Sequence, residues 1–253
     1  MRSRYPAAST FAYSFGPGPL TPAIKALIIA NVAAFFLTSI FPVVEVWAGI
    51  SPQSVLERFA IWQPVTYMFV HGGILHILFN MVMLWLFGVE LERMWGSRKF
   101  LNYYFIAGLG GALAQIVLGI LPFGFADRFY YPSTIGASAA VYGIMLAYAM
   151  YFPNRQILLW FLIPIAVKYF VAILGAIAFF SMIRGEAGGV AHSAHLGGIL
   201  AGYLYMNSGL GGGRFHPVAE IKYRYLKWRI NRMRRKFDIV SGGRADDVNR
   251  RVH

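Results

Sequence analysis

The chain has 253 residues, 58% of them hydrophobic and only 13% charged, where a soluble domain carries about 25% charged residues. That composition points to the bilayer, and the lack of any cysteine excludes disulfide frameworks and thiolate catalysis. The net charge of +13 is uneven: residues 209–253 hold twelve Lys/Arg against Glu220, Asp238, Asp246 and Asp247. Such a basic stretch could meet nucleic acid or an anionic leaflet; beside apolar spans the leaflet is the more economical partner, and no nucleic-acid partner is expected.

Residues 1–22, MRSRYPAASTFAYSFGPGPLTP, carry two early arginines but no compact apolar run ending in a small-residue cleavage site. They read as a cytoplasmic N-terminal tail rather than a signal peptide. A hydrocarbon core about 30 Å thick needs roughly 20 apolar helical residues, and six segments meet or approach this: 24–41, 65–87, 100–123, 135–152, 157–182 and 190–206. The organisation expected is a cytoplasmic tail (1–22), a six-helix membrane domain (23–207) and a basic cytoplasmic tail (208–253). The connection 41–64 mixes apolar and charged residues, as an interfacial amphipathic element does. Gly209 to Gly213 read as a hinge, and the segment IKYRYLKWRINRMRRKF as a basic helix on headgroups or a solvated charged tail.

The loops give orientation. Arg93, Arg98 and Lys99 lie between the second and third segments and Arg155 between the fourth and fifth, while the opposite loops each hold one positive charge: Arg58, Arg128 and Arg184. With Arg2, Arg4, Lys25 and the basic tail, both termini fall on the cytoplasmic side of a multi-pass integral membrane protein. If the source is bacterial, that is the cell membrane.

Polar groups at membrane depth are costly, so each one raises a site hypothesis. In HGGILHILFN (71–80), His76 and Asn80 are four apart on one helix face and His71 lies at or before the helix start. Both His76 and Asn80 are neutral donors suited to a developing oxyanion; alone, the pair reads as an interhelical clamp. In TIGASAAVYG (134–143), Ser138 opens an apolar helix among small residues. A serine there can bond back to its own helix, so packing is the favoured reading in isolation. The pattern is not the G-x-S-x-G elbow of soluble hydrolases, because Ala140 replaces the second glycine and no strand precedes it. Lys168, in LIPIAVKYFVA, is read as snorkelling to an interface. In VAHSAHLGGILAG (190–202), His192 and His195 share a helix face, and Gly198 and Gly202 make a G-x-x-x-G ridge for a close neighbour. A helix starting Gly136-Ala137-Ser138-Ala139 would fit that contact, although two histidines also suit haem or metal.

The absences discriminate. There is no H-E-x-x-H motif, and every Asp lies in a loop or tail, so metalloprotease and aspartyl mechanisms lack their groups. A site of His71, His76, His192 and His195 would have no carboxylate, and no metal or other cofactor is expected. What remains is Ser138 with neutral His195 as general base. No buried Asp can orient the imidazole, so this is a dyad, steadied by ring stacking on Tyr142, one turn after Ser138. Amides near Ser138, with His76 and Asn80, would form the oxyanion pocket.

These residues resemble the rhomboid family of intramembrane serine proteases: Gly136-x-Ser138, His195-x-x-Gly198-x-x-x-Gly202 and His71-x4-His76-x3-Asn80, supported by YMFVHGG, LERMWGSRKF and FPNR…PIAVKYFV. The likeness covers residues 60–206. It implies an all-α membrane protein, a six-transmembrane-helix rhomboid-like bundle, with a water-accessible site below the external surface. Carried onto this sequence, it makes Ser138 the nucleophile and His195 its base. The oxyanion falls to His76, Asn80 and the amides of Ser138 and Ala137; Tyr142 packs on the histidine, Glu92 is structural, and Gly136 and Gly198 are close-packing positions. Two departures stand out: Ala139 replaces the glycine often found after the serine, and Ala48 follows Trp47 where the family often has arginine.

The implied activity is cleavage of transmembrane protein substrates within the bilayer, with residues 184–192 as a mobile cap and the fifth span shifting to admit substrate. The alternative is an inactive rhomboid-like protein that binds membrane clients; such members generally lose the serine or histidine, and both are present here. A transporter is disfavoured by the lack of inverted repeats and buried carboxylates. Oligomeric state, natural substrate and cleavage site are not legible.

Overall fold

Residues 16–122, 124, 126–159, 163–184, 192–208, 225–230 and 232–233 are described by the structure, a computed structural model. Residues 185–191 of the expected cap 184–192, the hinge 209–213, residues 1–15 and most of the basic tail lie outside them. The chain divides into two units, Met1–Gly211 and Gly212–His253. In the second, residues 225–230, 232 and 233 are helical, with the Arg232 guanidinium 5.4 Å from the Trp228 ring centroid.

In the first unit, α1 (Pro22–Ile40) begins after an extended Thr21, with Pro22 at the first helical position, where a missing N–H costs nothing. Its orphan amides are capped from elsewhere in the chain: the Glu92 carboxylate accepts from Ala23 N (2.8 Å) and Ile24 N (3.0 Å). The same carboxylate accepts from the hydroxyls of Thr21 and Ser97. The following connection folds into three short helices, α2 (Val43–Ala48), α3 (Pro52–Glu57) and α4 (Gln63–Thr66), then a single 3₁₀ turn, Tyr67–Phe69. Trp47 stacks on Trp62 (centroids 4.7 Å apart), and Val43, Val46, Phe59 and Ile61 point outward, as an element lying in the interface requires.

Then come α5 (Ile74–Trp95), α6 (Ser97–Ile120), α7 (Asp127–Tyr130), α8 (Ser138–Tyr151), strands β1 (Gln156–Leu159) and β2 (Ile163–Ala166), α9 (Val167–Arg184) and α10 (His192–Asn207). Helices α1, α5, α6 and α9 are long and apolar enough to cross a membrane; α8 and α10 are shorter, at 14 and 16 residues. The fold is a mostly helical membrane bundle, consistent with six membrane helices.

Two expected segments need correction. The second span runs 74–95, not 65–87: the Gly72-Gly73 pair separates it from α4 and the Tyr67–Phe69 turn, and Glu92 is accommodated at the end because it caps α1. The fifth span is α9 alone. Residues 156–159 and 163–166 form an antiparallel ladder, Gln156 opposite Ala166 and Leu159 opposite Ile163. Pro164 has no N–H for a helical bond, and an unbroken apolar run does not distinguish strand from helix. Lys168 therefore sits at the start of α9, where its Nζ donates to Asn154 Oδ1 (2.8 Å).

The bundle has two distinct ends. At one, Ile50 pairs with Thr134, Gly136 N donates to Tyr67 O (2.8 Å) and Tyr130 OH donates to Glu57 (2.7 Å). At the other, Glu92 caps α1, and Arg155 pairs with Glu90 and donates to Tyr148 OH (2.7 Å). Helix α8 thus ends level with the C-terminal turns of α5. At 1.5 Å per residue it rises only about 21 Å, which leaves Ser138 roughly 9 Å short of a 30 Å hydrocarbon slab.

Candidate active site

The site is built where α8 starts. Gly136 takes φ +118°, a conformation closed to side-chain-bearing residues, and a Cβ there would lie 2.7 Å from His76 Nε2. The turn it makes lets the chain enter α8 at Ser138, whose amide, at the first helical position, has no acceptor inside the helix. Helix α10 lies against α8 at backbone distance. A Cβ at Gly198 would overlap the Ala139 carbonyl, and one at Gly143 would sit 2.6 Å from Ala107 Cβ and 3.1 Å from Gly198 O. Tyr103 OH fills the neighbouring space near Gly202 and donates to Gly143 O (2.7 Å).

This approach brings His195 Nε2 to 2.7 Å from Ser138 Oγ. The imidazole stacks on Tyr142 with centroids 4.2 Å apart and planes within 9° of parallel. His195 is buried, and its Nδ1 has no hydrogen-bond partner among the described residues, so no carboxylate orients it there. His192 presents its ring edgewise to His195, with centroids 5.9 Å apart.

His76, Asn80, Ser138 and Tyr142 line a cavity of about 270 Å³ between α5, α8 and α9, otherwise walled by apolar side chains such as Phe79, Met83 and Leu174. Asn80 Nδ2 donates to His76 O (2.9 Å), which leaves a second amide hydrogen to offer. His71 stands behind this group, its ring edge-on to His76 with centroids 5.0 Å apart. The Ala137 N–H donates to His71 Nε2 (3.4 Å), so His71 Nδ1 carries the proton and donates to Phe69 O (3.3 Å). Burial, with His76 nearby, pushes the His71 pKa down to about 4 and keeps it neutral at pH 7. The Ala137 amide, expected in the oxyanion pocket, is thereby engaged by His71. Among the described residues no three His, Asp or Glu side chains gather as a metal would require.

Two buried residues escaped the sequence reading: Gln115 on α6 and Ser193 on α10, which hydrogen-bond to each other (2.9 Å). The cost of burying polar groups in a span was the signal that marked Asn80, and it applies equally to the glutamine in GGALAQIVLGI.

The sequence model of the Rhomboid domain matches residues 58–210. Among curated relatives, the chain is 31% identical over 158 residues to Rhomboid protease GluP of Bacillus subtilis, covering 62% of this chain and 27% of that protein. It is 28% identical over 192 residues to Rhomboid protein 1, mitochondrial, of Saccharomyces cerevisiae, covering 72% of this chain and 51% of the other. With Rhomboid protease GlpG of Yersinia pestis it shares 27% identity over 187 residues, 74% of this chain and 61% of that one. The matches thus span between about a quarter and three fifths of these relatives' lengths.

Proposed function

Since the chain belongs to the rhomboid family of integral membrane proteins, we propose that it is an intramembrane serine endopeptidase that cleaves transmembrane protein substrates with a Ser138–His195 dyad. The observation that carries this reading is the 2.7 Å contact between His195 Nε2 and Ser138 Oγ across the α8–α10 interface. As Oγ attacks the scissile carbonyl carbon, Nε2 takes its proton, and the tetrahedral oxyanion meets the Ser138 N–H, the His76 ring N–H and Asn80 Nδ2. Collapse expels the amine, which takes the proton back from His195 and leaves an acyl-serine. Water, deprotonated by the same imidazole, then releases the acid. Tyr142 holds the ring face, and His71 holds the peptide before the nucleophile.

The cavity is mostly apolar, which suits a segment arriving from lipid. A helical carbonyl is hydrogen-bonded and shielded, so substrates should carry helix-weakening residues near the cleavage point. Arg93, Arg98, Lys99 and Arg155 lie at the end of the bundle opposite the dyad, which supports a topology with that end and both tails in the cytoplasm and residues 23–207 in the membrane.

The test is cleavage of a single-span substrate by the protein in liposomes. Ser138→Ala and His195→Ala should each abolish turnover while leaving the melting profile near wild type. Cleavage undiminished in both variants would rule out Ser–His chemistry.

A further inference from the structure

One buried polar bridge takes no part in the chemistry above. Gln115 on α6 and Ser193 in the first turn of α10 are 3% and 2% exposed. Ser193 Oγ donates to Gln115 Oε1 (2.9 Å), and Gln115 Nε2 donates to Phe129 O (3.2 Å) in α7. A single amide therefore ties together α6, the helix that carries His195, and α7, part of the connection leading to Ser138. Burying such a group in a membrane helix is costly unless both its ends are satisfied, and here both are.

His195 follows Ser193 by two residues. Its ring is met on its face by Tyr142, by the edge of the His192 ring and at one nitrogen by Ser138; Nδ1 has no hydrogen-bond partner among the described residues. In a triad a carboxylate would correct small errors in ring position, and here that correction is missing. The distance from Nε2 to Oγ then depends on where the first turn of α10 lies. The close contacts of Gly198 with α8, and of Ala194 and Gly197 with α6, limit how near the helices come, but contacts between small residues resist rotation or sliding of the first turn less than a directional bond does. A hydrogen bond is directional and does fix them.

We propose that Gln115 is a positioning residue for the dyad: by holding Ser193 it sets the first turn of α10 so that His195 meets Ser138, and by holding Phe129 O it ties that setting to α7. This rests on the dyad reading. A misplacement of about 1 Å can cost roughly 100-fold in rate, so Gln115→Leu and Ser193→Ala should each lower kcat about 10- to 100-fold, with KM changed less than about twofold. The double variant should be no slower than the worse single one, because both remove the same bond.

Gln115→Glu keeps the shape and serves if the leucine variant fails to fold. While protonated, its carboxyl can accept from Ser193 and donate to Phe129 O; ionised, it loses the donor. Relative to wild type, its kcat should fall as pH rises.

The full chain in liposomes, with a single-span substrate, is assayed for kcat, KM, labelling of Ser138 by a fluorophosphonate, and melting temperature. Support is a kcat and labelling defect in correctly folded variants, with the non-additive double variant and the pH-dependent Gln115→Glu. The proposal is overturned by wild-type kcat in folded Gln115→Leu, by losses that track only the folded fraction, by additive effects, or by a Gln115→Glu pH profile parallel to wild type. If Ser138→Ala cleaves normally, the dyad reading falls and takes this proposal with it. If Ser138→Ala is inert and the Gln115 variants are normal, only this proposal falls.

Discussion

Tyr142 acts on His195 through its ring face, with no hydrogen bond between them in evidence beyond the 4.2 Å stack. Tyr142→Phe preserves the stack and should keep kcat within about twofold. Tyr142→Ala removes it, and at about 0.5–1.5 kcal/mol for an aromatic pair the loss should reach up to roughly tenfold; kcat of the two variants in one assay checks this. His71 supplies a pH signature at the same scale. Its folded pKa of about 4 lies below the usual 6.5 for histidine, so the unfolded chain binds the extra proton first. The stability it contributes is complete above pH 6.5 and is lost as pH falls toward 4. Unfolding midpoints measured across that window should decline toward acid, and His71→Gln, which has no such titration, should flatten the decline. The His71 effect could not be read from the spacing of His71 and His76, because it depends on burial and on the ring of one histidine meeting the other.

At the scale of elements, Glu92 replaces the missing N-cap of α1 and joins α1, α5 and the start of α6 through one carboxylate. Glu92→Ala strands two buried amides, each costing about 1–3 kcal/mol. The melting midpoint in detergent should drop sharply, while Glu92→Gln, which retains one acceptor oxygen, should lose less. The segment LERMWGSRKF marked Glu92 as structural but not what it holds, since its partners lie 68 and 69 residues away. Hydropathy located the long helices because a lipid-facing helix must be apolar nearly all round. It misplaced the second span and missed β1 and β2, because backbone breaks at Gly72-Gly73 and Pro164 are local and a running average smooths over them. The spacing of Gly198 and Gly202 showed that α10 wanted a close neighbour. The small residues from Gly136 to Ala139 offered α8 as that neighbour; that the contact leaves Ser138 and His195 2.7 Å apart depends on the packing of α6, α8 and α10 together.

Across the membrane bundle as a whole, the Ser138–His195 contact lies at the end opposite Arg93, Arg98, Lys99 and Arg155. Helix α8 is about 21 Å long and is anchored at its C-terminal end beside Glu90 and Arg155, so the end that bears Ser138 cannot reach the far headgroups. In the proposed hydrolysis, water would come down to Ser138 from the side bearing α2, α3, α4 and α7. If Arg98 and Lys99 mark the cytoplasm, that side is external. The chain contains no cysteine, so single replacements report without a background. Arg98→Cys, at the start of α6, should resist a membrane-impermeant maleimide added outside intact cells and react after the membrane is opened. Arg128→Cys, in α7, should react from outside at once. Labelling in the reverse pattern would turn the bundle over and place the dyad's opening toward the cytoplasm, so substrates would have to present their weakened turns to the inner leaflet; equal labelling of both would mean a mixed orientation, which the four-to-three count of positive charges between the two sets of loops would then be too weak to prevent.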